Sequence, residues 1–152
     1  MKRLLLITFV GLFSASAFAA DNKPPTSEQQ TASQIDELKR KIAKDPERDI
    51  CINSTELVRV LVEQFNNQMN AGELKPAQQT LDEIGEYADK AREAGKKSHH
   101  KLKQAEMTLH KSARRLADIA QSVAVENRQA ITQVVNRIEA ADDDILNQVF
   151  KN

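Results

Sequence analysis

Asn53-Ser54-Thr55-Glu56-Leu57-Val58-Arg59-Val60-Leu61-Val62-Glu63-Gln64-Phe65-Asn66-Asn67-Gln68-Met69-Asn70-Ala71-Gly72 is the stretch that decides the fold. Leu57, Val58, Leu61, Val62, Phe65 and Met69 recur at the i, i+3, i+4 spacing of one helical face, and the positions between them are mostly polar. Asn53 precedes the apolar run, with Glu56 three residues on, the spacing of a capping box. Asn53-Ser54-Thr55 also fits a glycosylation sequon, and we weigh the cap above the glycan. Gly72 closes the segment, since glycine tolerates the left-handed conformation beyond a helix end. A helix with a single apolar stripe cannot bury it alone, so the chain must supply other helices or a partner.

Outward from this segment the pattern repeats. Before it, Ile35, Leu38 and Ile42 predict a short helix over residues 32–44, ended by Asp45-Pro46 because a residue preceding proline avoids the helical region. After it, Pro76 suits the first turn of a third helix, whose seam is Ala77, Leu81, Ile84, Ala88 and Ala91 and whose expected stop is Gly95. Ser98 is placed to cap a fourth helix carrying Leu102, Ala105, Leu109, Ala113, Leu116, Ala120 and Val123. Ile131, Val134, Val135, Ile138, Ala141, Ile145 and Val149 mark a fifth. Residues 121–127 hold neither Gly nor Pro, so one long bent helix is the alternative to a break there. The expected fold class is all-α: four to five amphipathic helices in antiparallel hairpins, a single helical domain over residues 32–152.

The join Gly72-Glu73-Leu74-Lys75-Pro76-Ala77, followed by Leu81, resembles the turn of a tetratricopeptide repeat. In that family the glycine permits the turn and the alanine lets two helices approach closely. The resemblance covers some 40 residues and implies a helical hairpin used in protein binding. Pro76 beside Ala77 and Ile84 in place of an alanine depart from the family pattern, and no second copy recurs at about 34 residues. The chain as a whole resembles small exported bacterial helical proteins.

The N-terminus has a separate character. Met1-Lys2-Arg3 is a short basic region. Leu4 to Phe13 is an uncharged, mostly apolar run, and Ala17-Phe18-Ala19 offers the small-x-small pattern of a signal peptidase site. We expect a cleaved signal over residues 1–19, with cleavage after Ala20 as the second choice. The apolar run is about half of the roughly 20 residues that a membrane-spanning helix needs. No cysteine adjoins the cleavage site, so lipid attachment is not expected. Such short signals resemble those of bacteria with an outer membrane, which implies a periplasmic or secreted location. Residues 20–31, with Pro24-Pro25, read as a flexible polar tail.

Cleavage would remove Lys2 and Arg3, leaving 20 basic against 22 acidic residues and a charge of −2. Three of the five phenylalanines, Phe9, Phe13 and Phe18, lie in the signal region, so the core is expected to be aliphatic and thin. Cys51 is the only cysteine, which excludes an intramolecular disulfide. Its neighbours Ile50 and Ile52 predict a small buried hydrophobe, with a bridge between chains as the alternative.

The charge is uneven. Residues 21–89 carry a net −6, residues 90–115 a net +7 and residues 116–152 a net −3. The central block makes Lys96, Lys97, His99, His100, Lys101, Lys103, Lys111, Arg114 and Arg115 the candidate anion- or partner-binding residues, since concentrated positive charge attracts phosphate, lipid headgroups and acidic protein. The alternative is a solvated segment whose charges face acidic helices of the same fold. Nucleic acid is not expected, because the block has no aromatic residue on which bases could stack.

His99 and His100 are adjacent, about 100° apart on a helix, and His110 lies ten residues on, so the histidines lack the spacing of a zinc site. Asp142-Asp143-Asp144 lacks the interleaving and turn glycine of a calcium loop and reads as solvated surface. There is no Gly-rich phosphate loop, G-x-S-x-G or H-E-x-x-H. No metal or cofactor is expected, and no catalytic residue is singled out. The leading expectation is a non-enzymatic module that binds a protein or peptide partner in the cell envelope. The alternative is an anion or membrane-surface binder that makes peripheral contact with anionic lipid through residues 90–115. A homo-oligomer stays open, and a small enzyme ranks last.

Overall fold

A computed structural model describes residues 27–151. The expected signal over residues 1–19 and the first part of the expected tail, residues 20–26, lie outside them. The described chain is all-α: α1 (Ser27–Lys44), α2 (Glu47–Ala71), α3 (Leu74–Lys97), α4 (Leu102–Ser122) and α5 (Val125–Phe150). Among the described residues no helix is long and apolar enough to cross a membrane.

Helices α2 and α3 form one antiparallel hairpin, and α4 and α5 a second. The hairpins lie side by side in parallel register, α2 against α4 and α3 against α5. Contacts between them recur at a nearly constant offset: Arg115 meets Glu63 and Arg92 meets Asp144, each 52 residues away, and Arg137 meets Asp89, 48 residues away. The result is a four-helix bundle, with α1 laid along the outside of α2 and tied to α3 by a Lys39–Glu83 ion pair of 2.6 Å.

The predicted stripes form the core. Leu57, Leu61 and Phe65 of α2, Ile84 of α3, Leu109 and Leu116 of α4 and Ile138 and Ile145 of α5 are all at most 2% exposed. Burying a side chain of this size stabilises the fold by roughly 1.5–3 kcal/mol. Cys51 is fully buried, as its apolar neighbours predicted.

Several boundaries differ from the sequence reading. Residues 27–31 are helical rather than part of a tail. Glu28 sits in the first turn of α1, where a negative charge suits the helix dipole, and Thr31 Oγ1 donates to the Ser27 carbonyl at 2.9 Å. Asn53 is not the cap of α2, which begins six residues earlier, directly after Pro46. Glu47 and Asp49 occupy that first turn, and the inward-facing Cys51 extends the apolar stripe backwards. Asn53 Nδ2 instead donates to Asp45 Oδ2 at 2.7 Å, tying the α1–α2 corner.

Gly72 does close α2, at φ 75°. Gly95 does not close α3. It is buried inside the helix, where its missing side chain admits Ile145 and the Cys51 thiol. Ser98 ends α3 rather than capping α4: its hydroxyl donates to the Arg48 carbonyl and accepts the His100 N–H.

Helices α4 and α5 are separate, with extended backbone at Val123 and Ala124. No glycine or proline is needed there, because Arg128 reaches back from α5. Its guanidinium donates to the carbonyls of Val123 (3.1 Å) and Gln121 (3.3 Å), which a helix end leaves without intrahelical partners.

Candidate functional site

The basic block is divided by its neighbours. At the end of the bundle where α3 meets α4, Lys96 pairs with Glu93 at 2.8 Å, Lys97 with Glu47 at 3.1 Å, and His100 Nε2 lies 3.4 Å from Asp49 Oδ1. Arg92 bonds Asp144, and Arg115 reaches Glu63 of α2 at 3.4 Å. Arg92, Lys97 and Arg115 face acidic groups of other helices and hold helices together, as His100 does at Asp49, whereas Lys96 pairs within α3 and lies 3.9 Å from Asp144 of α5. These groups are also well exposed, so each pair adds little.

Lys101, Lys103, Lys111 and Arg114 are different. Each is exposed, and among the described residues none of the four makes an ion pair. On a helix of 3.6 residues per turn, Lys103, Lys111 and Arg114 fall within roughly 80° of one another on the outward side of α4. Met107 lies in the middle of that arc and is 46% exposed, although most large apolar side chains of the chain are buried. Gln104 and Thr108 flank the stripe. Asp118 follows it one turn on, and Glu106 stands at its edge toward α5.

The helix that carries this stripe is firmly seated. Leu102, Ala105, Leu109, Ala113 and Leu116 bury its other side. Arg115 fastens it to α2, and His110 fastens it to α5. Lys101 sits at its start in the left-handed conformation, φ 55°, and no acidic residue occupies its first turn. The positive end of the helix dipole therefore adds to the Lys101 and Lys103 charges.

A second feature lies where α4 meets α5. His110 Nδ1 is 3.3 Å from Asp142 Oδ2. Asp142 is 8% exposed, and its Oδ1 is buried without a hydrogen-bond partner. Burial pushes the Asp142 carboxyl above the usual aspartate range. The His110 contact opposes that shift, and the nearby Glu106 and Asp143 charges reinforce it. The acidic triplet is thus not uniformly solvated surface: Asp142 is buried, Asp143 is exposed and Asp144 binds Arg92. Successive helical residues point about 100° apart and cannot share one environment.

Of the nine sequence-predicted site residues, Lys101, Lys103, Lys111 and Arg114 share an exposed surface free of ion pairs. Lys96, Lys97, His100 and Arg115 are drawn into contacts with other helices. His99 lies beside Glu47, Arg48 and Lys97 at a shallow depression at the same end. Met107 and the His110–Asp142 pair are additions from the structure. Helical spacing places Met107 four residues from both Lys103 and Lys111, so its position was available from sequence. The pairing of His110 with Asp142, 32 residues apart, was not.

Among the described residues no three His, Cys, Asp or Glu side chains come together as a metal site. The surface grooves are open to solvent rather than enclosed. One of about 180 Å³ between α1 and α2 is lined largely by polar residues, including Glu28, Gln64, Asn67 and Gln68. Another, between α4 and α5, is lined by Ala117, Ala120, Arg128, Thr132 and Val135. No protein-family model, curated protein or solved structure matches the chain.

Proposed function

We propose that this chain is a non-enzymatic helical module that binds a protein or peptide partner in the cell envelope, after export. One observation carries the reading. The outward side of α4 concentrates cations that, among the described residues, have no ion-pair partner, around an exposed methionine, whereas Lys96, Lys97 and Arg115 face acidic groups of the fold. Methionine adapts its shape to varied partners, and cations without counter-ions favour acidic ones. The tetratricopeptide-like join between α2 and α3 supports the same reading: Gly72 takes the left-handed turn and Ala77, 1% exposed, lets the two helices approach. Export rests on the N-terminal sequence pattern.

Mild cross-linking of cell-envelope extract tests the function. The chain is expected to recover a specific partner. Recovery of background alone refutes a binding role. A mass for the chain isolated from cells that corresponds to a start at Ala20 or Asp21 supports export, and an intact N-terminus in the cytoplasm refutes it.

The same free cations favour a second reading, adsorption to an anionic membrane surface. It predicts sedimentation with vesicles containing anionic lipid, weakening as salt rises. Binding that is absent, or indifferent to salt, removes this reading.

A further inference from the structure

Resting on the binding-module reading, we infer that the occupant of the outward face of α4 is an acidic helix of a partner protein, laid along Lys103, Met107, Lys111 and Arg114.

The spacing excludes a compact anion as the natural ligand. From Lys103 to Arg114 the cations span eleven helical steps, about 16 Å at the usual rise per residue. A single phosphate reaches only one or two of them. A linear ligand with several negative charges reaches all three. Another α-helix has the same rise, so carboxylates at i, i+8 and i+11 match Lys103, Lys111 and Arg114 in register, and an apolar residue at i+4 falls opposite Met107. Helix axes pack at about 8–10 Å, a separation that a methionine at the contact can fill.

A lipid surface fits less well. The apolar stripe of α4 is committed to the bundle core, so the helix cannot turn it to acyl chains. Its outward face offers one large apolar side chain and no aromatic residue. Membrane-surface helices bind through a broad apolar face together with their charges. Charge alone contributes only about 1 kcal/mol per basic residue near an anionic surface.

A second copy of the chain does not supply the matching helix either. No stretch of the sequence places acids at i, i+8 and i+11 with an apolar residue at i+4, in either direction. The backbone that carries the ligand face is preorganised, since the buried Leu102, Leu109 and Leu116 seat α4 in the bundle. Backbone ordering therefore costs little on this side of the complex, and the cost that remains is that of ordering the lysine, methionine and arginine side chains.

The test uses a synthetic alanine-based helix of about 18 residues, long enough to cover the stripe, with glutamates at i, i+8 and i+11 and leucine at i+4. Two control helices replace the glutamates by glutamine, or the leucine by alanine. Binding to the purified chain is followed by peptide fluorescence anisotropy and by amide shift mapping. The acidic helix is expected to shift Lys103, Met107, Lys111 and Arg114, and to lose affinity about tenfold between ~0.05 and ~0.3 M salt. The glutamine helix is expected not to bind, and the alanine helix to bind more weakly. The triple variant Lys103→Glu/Lys111→Glu/Arg114→Glu is expected to keep its melting curve and to lose at least about tenfold in affinity.

Equal binding by the glutamine helix, shifts confined to another face, or undiminished binding by the triple variant overturns the inference. So does binding of anionic vesicles without binding of the acidic helix. A partner captured equally well by wild type and triple variant leaves the module reading intact and removes only the α4 face. Failure of capture by the wild type removes the module reading itself.

Discussion

His110 on α4 and Asp142 on α5 are joined across the helix pair by a 3.3 Å contact, and among the described residues it is the only hydrogen bond that the buried Asp142 side chain makes. A buried carboxylate with one weak partner is costly. The second hairpin therefore contains an electrostatic fault close to the face proposed to bind a partner.

Because burial raises the Asp142 carboxyl above its usual value of 3.8, the folded state holds this proton to a higher pH than the unfolded state does. The contribution of this group to stability is therefore fully present below the unfolded value. It is lost as pH rises through the raised folded value. Asp142→Asn is expected to remove this dependence and to stabilise the chain by about 1 kcal/mol at neutral pH. His110→Ala leaves the carboxylate without a partner and is expected to cost about 1–3 kcal/mol at neutral pH. Thermal melts of the wild type, both single variants and the double variant from acid to neutral pH check this. An Asp142→Asn curve parallel to the wild type would contradict it.

Cys51 is fully buried, and burial pushes its thiol up to about 11. The thiolate is the reactive form, so the folded chain is expected to resist alkylation at neutral pH and to react at once in denaturant. Mass spectrometry after timed iodoacetamide exposure reads the difference. Rapid labelling of the native chain, or a disulfide-linked dimer that retains the native melt, would show that the thiol is not enclosed as described.

Two glycines in α3 are expected to respond in opposite directions to alanine. A Cβ at Gly95 would stand 2.9 Å from Ile145 Cγ1 and 3.4 Å from the Cys51 sulfur, both within the packed core. The overpacking cost of about 1–3 kcal/mol exceeds the helical gain of roughly 1 kcal/mol. Gly95→Ala should therefore destabilise. The three atoms nearest a Cβ at Gly85 all belong to the guanidinium end of Arg137, which can swing away from its Asp89 partner at small cost. Gly85→Ala should stabilise by up to about 1 kcal/mol. Denaturant titration of both variants decides the signs.

Helix α1 rests on α2 through Ile35, Leu38 and Ile42 and packs against the bundle on one side only. Its amides are expected to exchange with solvent well before those of α3 and α5, because few buried apolar contacts oppose local opening. Hydrogen exchange followed by mass spectrometry measures this. Protection of α1 equal to that of the core helices would show that it belongs to the cooperative unit.

The helical pattern was legible in the sequence because a helix is a local structure with a fixed period. Leu57, Leu61 and Phe65 mark the buried side of α2, and Leu102, Leu109 and Leu116 that of α4, whatever their neighbours are. The candidate face was half legible. The excess of cations in residues 90–115 is plain from composition, and spacing alone sets Met107 between Lys103 and Lys111. Which cations stay unpaired depends on acids far away along the chain, such as Glu47 for Lys97 and Glu63 for Arg115.

By itself, then, the sequence determined five amphipathic segments, the buried Cys51 and the left-handed turn at Gly72, all governed by local period and backbone sterics. Only the tertiary structure decided that α2 begins at Glu47 and that Gly95 is a packing point rather than a stop. It alone parted α4 from α5, through Arg128. It also buried Asp142 while leaving Asp143 in solvent and set aside Lys101, Lys103, Lys111 and Arg114 as a free basic surface. The physical reason is common to all of these: helix ends, buried charges and ion pairs are settled by groups that meet across the bundle, and that meeting exists only once the hairpins have packed.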